Sequence, residues 1–278
     1  MSRNPRATAR SVGFYATSAP LAVLFFVPTV WTLYSSVHGR KASASGVGDG
    51  WGLANYQRLF DYGSGIEVYL LNTTVVAAVA VAVTVLATTL GGYAVARLDF
   101  PGKNILFLVT LAILMVPYTT ILIPLYVFLG WIHLQNSLVG LGLVLAMFQL
   151  PFGLFMMRNS FEALPVELEE AALIDGCGHG SALRRVLLPG VLPGMVTVAL
   201  FAFLSAWNEF VAPLIFLTDG ESFTLPVALF NLQSGSLGSV DFGALQAGVV
   251  TAAVPCVLLF LLLQRYYVRG FTSGALKG

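Results

Sequence analysis

Few side chains in this sequence have the type and spacing to do chemistry, and most stand too far apart to act together. His38, His133 and His179 fall in three separate polar stretches, and Cys177 and Cys256 lack metal-ligand spacing. The segment FPGKN (100–104) holds Gly102 and Lys103. A phosphate loop would need Gly five residues before Gly102 and a hydroxyl after Lys103, where this chain has Arg97 and Asn104. Neither G-x-S-x-G nor H-E-x-x-H occurs. What remains is EEAALIDGCGHGSALRRVLLP (169–189), the most polar stretch in the second half of the chain. Its spacing is Glu170-Ala171-Ala172, three residues, Gly176, nine residues, then Val186-x-Leu188-Pro189. Two adjacent alanines leave a thin surface that suits a groove on another protein, and Leu168, Leu173 and Ile174 add an apolar edge. The chemistry implied is docking. The sequence predicts no catalysis, no cofactor, no metal site and no nucleic-acid binding.

The elements that must position this stretch are set by composition. The chain has 278 residues, 57% hydrophobic and 10% charged, against about 25% charged in soluble domains. Runs free of Asp, Glu, Lys and Arg cover 11–39, 68–96, 104–157, 186–208 and 242–264. A spanning helix needs about 20 such residues. The third run is long enough for two, separated by the polar break GWIHLQN (130–136). The reading is an all-α membrane protein of six transmembrane helices, roughly 12–38, 68–97, 104–129, 137–158, 191–217 and 244–268, in one domain over 1–278. Continuous apolar runs exclude a β-barrel, whose strands alternate over about 10 residues.

Charge gives the orientation. Arg3, Arg6, Arg10, Arg97, Lys103, Arg158, Arg184, Arg185, Arg265, Arg269 and Lys277 share one side; Arg40, Lys41 and Arg58 share the other. Basic loops mark the cytoplasmic face, so both tails and the loop 159–190 are expected there. The first apolar run is too long for a cleaved signal peptide and reads as a span. Cys177 then faces a reducing compartment, and no disulfide is expected.

The local reading of that loop is equally direct. Pro165 suits a helix start, and Glu167, Glu169 and Glu170 suit the positive end of a helix over 166–175. Gly176 ends it. Ser181 is read as the cap of a second helix, 182–188, with Pro189 leading into the fifth span. Gly190 and Gly194, four apart, predict a tight helix contact. Outside, WGLANYQRLF (51–60) reads as a short surface helix, and 219–241 is too polar to span.

The spacing Glu170-Ala171-Ala172-x3-Gly176-x9-Val186-x-Leu188-Pro189 resembles the conserved cytoplasmic loop of ABC importer permeases, with Val186 where that pattern has Ile. LPFGLFMMRNSFEALPVELEEAALIDG (150–176), AWNEF (206–210), NYQRLF (55–60), YAVARLDFPGK (93–103) and RGFTSGALKG (269–278) are similar to the carbohydrate-uptake, maltose-permease branch. The resemblance implies the transmembrane domain of a type I ABC importer, in the inner membrane of a bacterium or archaeon. It implies a second permease subunit of different sequence completing the pore, two copies of a cytoplasmic ATPase, and an extracytoplasmic sugar-binding protein. The helix 166–175 would be the coupling helix. Glu170 would pair with a basic group of the ATPase, Ala171 and Ala172 would allow close approach, and Gly176 would allow the turn. Val186, Leu188 and Pro189 complete the docking set.

Glu209 is the one acid well within a span. At bilayer depth an acid costs roughly 2.5–3.5 kcal/mol on insertion scales, so it faces protein or water. Two readings stand: a pathway residue, with Asn208 beside it and Asn72 in a lesser part, or a helix-to-helix tie. Polyols and glycerol phosphate stand as alternative substrates, and an ion-coupled secondary transporter as the alternative class.

Overall fold

The computed structural model describes residues 5–43, 46–235 and 240–275, with side chains over 15–39, 50–235 and 240–264. Expectations resting on Arg3, Arg6, Arg10, Arg40, Lys41, Arg265, Arg269 and Lys277 lie outside those side chains. The helices are α1 (Pro5–Val37), α2 (Ala54–Phe60), α3 (Ile66–Arg97), α4 (Lys103–Ala112), α5 (Leu122–Trp131) and α6 (Leu138–Glu162). They continue with α7 (Glu167–Ile174), α8 (His179–Ala182), α9 (Leu188–Trp207), α10 (Val211–Phe216), α11 (Leu225–Ser234) and α12 (Phe242–Ala275). One antiparallel hairpin, β1 (His38–Ser43) with β2 (Gly46–Trp51), departs from an all-α chain. The chain divides into two compact units: Met1–Ile66 with Leu229–Val254, and Glu67–Ala228 with Pro255–Gly278.

Among the described residues, five helices are long and apolar enough to cross a membrane: Tyr15–Val37, Ile66–Arg97, Leu138–Glu162, His179–Trp207 and Phe242–Gln264. These match five of the six expected spans. The third, expected over 104–129, is corrected: it is two short apolar helices, Lys103–Met115 and Leu122–Trp131. Pro117 is the cause. It offers no N–H, and its ring drives the preceding residue out of the helical region; Val116 is extended at φ −86°, ψ 125°. The fifth also differs. It runs unbroken from His179 to Trp207 and stops at Asn208, and α10 follows as a separate short helix.

In the first unit, every described side chain from Tyr15 to Tyr34 is exposed or half-exposed, as lipid or a protein neighbour requires of an apolar helix. Asn55 of α2 is buried and donates to the Ser35 and Ser36 carbonyls at 3.0 Å, which satisfies the end of α1. Arg58 binds both Asn55 Oδ1 and the Asp241 carboxylate. Asp241 Oδ1 accepts the Ala244 N–H at 2.9 Å and so caps α12. Burial pushes the Asp241 carboxyl up, but the Ala244 amide, Arg58 and the Gly243 amide outweigh it and hold it below the usual range. The expected surface helix in WGLANYQRLF is α2, though only Leu59 of its apolar positions is buried; Leu53 and Phe60 are exposed.

The second unit is built on missing side chains. A Cβ on Gly92 of α3 would stand 2.6 Å from Met157 Cβ of α6. One on Gly153 of α6 would stand 2.7 Å from Thr88 Cγ2 of α3. A Cβ on Gly194 of α9 would run into Ser160 Oγ of α6, and one on Gly190 would stand 3.0 Å from Leu164 Cδ2 in the loop after α6, so the expected close contact is present at both glycines, against α6 for Gly194 alone. Around these approaches Tyr93, Met157, Phe161, Leu187, Val191 and Val198 form a buried cluster. The polar 219–241 segment begins by folding onto α3: Asn72 Nδ2 donates to the Glu221 and Phe223 carbonyls, and Thr73 Oγ1 accepts the Leu225 N–H.

Candidate functional site

The loop after α6 turns back under the buried cluster. Arg97, the last residue of α3, donates from Nη2 to the Phe161 and Leu164 carbonyls, each at 2.8 Å. A cation on the free carbonyls at a helix end neutralises their partial charge. Pro165 follows, and α7 starts with an αR cap at Val166. It ends as expected at Gly176, at φ +84°. The Cys177 N–H returns to the Ala172 carbonyl at 3.0 Å and the Gly176 N–H to the Leu173 carbonyl at 3.1 Å, a Schellman closure.

The two adjacent glutamates have opposite fates. Glu169 is 8% exposed. Its Oε1 accepts the Tyr93 hydroxyl at 2.7 Å, and its Oε2 lies 3.8 Å from Arg97 Nε. His179 Nδ1 is 3.8 Å from Oε1. Glu170 is exposed, as are Glu167, Ala171 and Ile174, the last at 86%. These four stand at i, i+3, i+4 and i+7, one helical face. Ala172 turns the other way and is 7% exposed, so the expectation of two exposed alanines holds for Ala171 alone. Leu168 lies in the exposed edge as expected, and Leu173 is half-buried.

The second half of the stretch differs from expectation. No cap comes from Ser181. The helix starts earlier, at His179 after Gly178, and the Ser181 N–H bonds the Gly178 carbonyl. Residues Leu183–Leu187 form a π turn before α9. Pro189 accounts for it: it cannot donate to the Arg185 carbonyl and its ring crowds that oxygen, which a widened turn relieves. Leu187 is fully buried, Val186 and Leu188 are half-buried, and Pro189 is exposed.

A second polar group lies where two helices break. Glu209 follows the end of α9, and its Oε1 accepts the Val211 N–H at 2.9 Å, the Ala212 N–H at 3.1 Å and the Tyr118 hydroxyl at 3.3 Å. Tyr118 directly follows the Val116–Pro117 break. Both line a cavity of about 390 Å³, with Gln149 and Ser205 joined at 2.7 Å in its wall. Asn208 is exposed, donates to the Leu204 carbonyl and is not among the lining residues. Asn72 is elsewhere, on the Glu221 and Phe223 carbonyls. Glu209 thus serves both as a tie and as a cavity wall.

Sequence reasoning singled out Glu170 and missed Glu169, Tyr93 and Arg97. The signal was present: Glu169, Ala172 and Leu173 share one helical face, and Tyr93 and Arg97 stand one turn apart. Tyr118 and Ser205 carried none, since their meeting depends on breaks that only tertiary structure reveals.

Comparison with known proteins agrees with this architecture. Residues 87–273 match the family described as binding-protein-dependent transport system inner membrane component. The chain is 33% identical over 259 residues to the diacetylchitobiose uptake system permease protein NgcG of Streptomyces coelicolor, covering 92% of this chain and 85% of that protein. It is 35% identical over 230 residues to the trehalose/maltose transport system permease protein MalG of Thermococcus litoralis, covering 81% of each. A crystal structure of a bacterial ABC transporter that imports the acidic polysaccharide alginate contains a chain of like fold. That chain matches with TM-score 0.77 and 19% identity, over 96% of this chain and 99% of that one. Such proteins are the membrane component of ABC importers, with the ATPase on a separate subunit. The long apolar helices and these matches together make this chain a member of the binding-protein-dependent transport system inner membrane component family, a multi-pass permease subunit of an ABC importer.

Proposed function

We propose that the chain conducts sugar as one half of an importer pore in the cytoplasmic membrane of a bacterium or archaeon. A second permease of different sequence forms the other half, two copies of an ATPase bind on the cytoplasmic side, and a sugar-binding protein docks outside. Sugar is supported by relatives named for diacetylchitobiose and for trehalose and maltose. In this reading the chain acts as one permease domain of six crossings, the third one broken, with both tails in the cytoplasm.

The observation that carries it is the division of α7 into two faces. Glu169 and Ala172 hold it to the protein, while Glu170, Ala171 and Ile174 stand free for a partner. Glu170 pairs with a basic group of the ATPase, Ala171 permits close approach, and Ala172 and Gly176 hold the helix in position. Val186, Leu188 and Pro189 fix its angle to the fifth crossing. ATP-driven closure of the ATPase pair displaces α7, and the buried contacts pass that displacement to α3 and α6. The two ends are linked reciprocally, so sugar loading changes ATPase affinity by the same coupling free energy.

The test is co-purification of the ATPase subunit with wild type, Glu170→Arg and Gly176→Pro. Retention by wild type and loss in both variants supports the docking role. Equal retention in all three would show that α7 is only a surface helix.

A further inference from the structure

The cavity at Glu209 has a chemistry that narrows the substrate class. Its volume, about 390 Å³, lies in the range of ligand pockets. Its lining divides into an apolar part, including Ile113, Leu114, Leu145 and Phe148, and a polar part of Tyr118, Gln149, Ser205 and Glu209. Tyr118 and Phe148 form an edge-to-face pair with centroids 5.4 Å apart. Two backbone interruptions border it, at Val116–Pro117 and at Asn208–Phe210. Irregular backbone at membrane depth is tolerated where it is buried in protein or lines a water-filled cavity.

The hydrogen-bond inventory then decides which ligand fits. Glu209 Oε1 already takes three donors, two of them the first amides of α10. Oε2 accepts none of those bonds and is available as an acceptor. Gln149 spends its Nε2 on Ser205, and its Oε1 accepts no bond from that residue. The free groups are therefore acceptors, matched to hydroxyl donors, beside aromatic rings that pack against the C–H face of a pyranose. No Lys or Arg is among the described lining residues. An anionic ligand would meet a carboxylate with no cation to offset it.

We infer that this cavity is a subsite for a neutral, hydroxyl-rich sugar and that Glu209 excludes uronates and sugar phosphates from it. The inference rests on the sugar-permease reading and adds the sign of charge that the path accepts. Glu209 is then the specificity residue, Gln149 and Ser205 its neutral partners, and Tyr118 the residue that orients Oε1 away from the ligand.

The experiment uses the full transporter with its partner subunits, carrying Ser205→Cys in a Cys177→Ser, Cys256→Ala background. Labelling of the introduced thiol by a cationic and by an anionic methanethiosulfonate is timed, each rate normalised to a free thiol. It is repeated with a panel of neutral disaccharides and with their uronic acid counterparts. The expected result is a cationic preference of about tenfold, falling towards unity in Glu209→Gln, and slowing by neutral sugars that the uronates do not reproduce. Glu209→Gln keeps an oxygen for the Val211 and Ala212 amides, so the fold is expected to stand. Where it does not, the wild-type rate ratio and sugar protection decide. Equal labelling by both reagents, protection by uronates as strong as by neutral sugars, or protection by no sugar overturns the inference. ATPase co-purification does not depend on this cavity, so the docking reading and the charge reading fail separately.

Discussion

The hydroxyl of Tyr93, one turn from the end of α3, donates to Glu169 Oε1 on α7 across 2.7 Å. Through this bond the buried face of the short helix α7 is tied to the long apolar helix α3. Arg97 completes the tie, with side-chain exposures of only 6% for it and 10% for Glu169. Glu169→Ala leaves that guanidinium buried without its carboxylate. Breaking such a pair from one side costs about 3 kcal/mol. Tyr93→Phe removes one hydrogen bond to a charged group, about 1.5 kcal/mol. Because both act on one partner, the double variant costs less than the sum. Thermal unfolding in detergent micelles measures all three, and unchanged midpoints in Glu169→Ala would refute the tie.

Gly176 and Gly178 offer a clean separation of backbone strain from packing. A Cβ at either meets nothing within 4 Å, yet only Gly176 has positive φ, at +84°; Gly178 sits at φ −74°. Gly176→Ala is expected to cost about 1 kcal/mol, and Gly178→Ala close to nothing. Parallel melts of the two variants check this, and equal losses would mean that the turn is not what holds Gly176.

Close helix approach predicts a second contrast. Gly92→Ala places a methyl 2.6 Å from Met157 Cβ and 3.0 Å from the Arg158 nitrogen, neither of which can swing aside. Overpacking of this kind costs about 2 kcal/mol. Gly180→Ala, in open space, should be neutral or slightly stabilising. Folded yield in membranes and melting midpoints report the difference.

The cap at Asp241 gives a pH dependence whose sign is fixed. Its carboxyl is held below the ordinary value, so its contribution is present above the unfolded pKa of about 3.9. That contribution is lost as pH falls through the lower folded value. Wild type should therefore lose more stability than Asp241→Asn between pH 6 and the acid limit. Unfolding midpoints of both across that range test it, and parallel curves would contradict it.

Much of this was legible in the sequence, and the omissions have physical reasons. Hydropathy gave six spans, and five of them are helices long and apolar enough to cross a membrane, because a bilayer imposes one length on every helix that spans it. It missed the break at Val116–Pro117, since Pro alone signals either a kink or an end and neighbours decide which. The helix 166–175 and its glycine stop were readable from local rules. The inward turn of Glu169 was not read, because composition favoured exposure for both glutamates and only the partner residues Tyr93 and Arg97 reverse that for one. Glu209 was visible as an acid at depth, but its double part as helix cap and cavity wall arises from a break that hydropathy averages away.

The π turn at Leu183–Leu187 has a consequence for how this chain tolerates change in length. A π turn holds one residue more than an α turn, so the helix on either side of it keeps its own angular phase. Removing a single residue from that turn would close it to an α turn and leave both phases as they are. Ala182, now fully buried, would keep its face. A one-residue deletion within α9 has no such slack and would turn everything before it by about 100° against the rest of that helix. Tolerance to a shortened chain is thus confined to Leu183–Leu187.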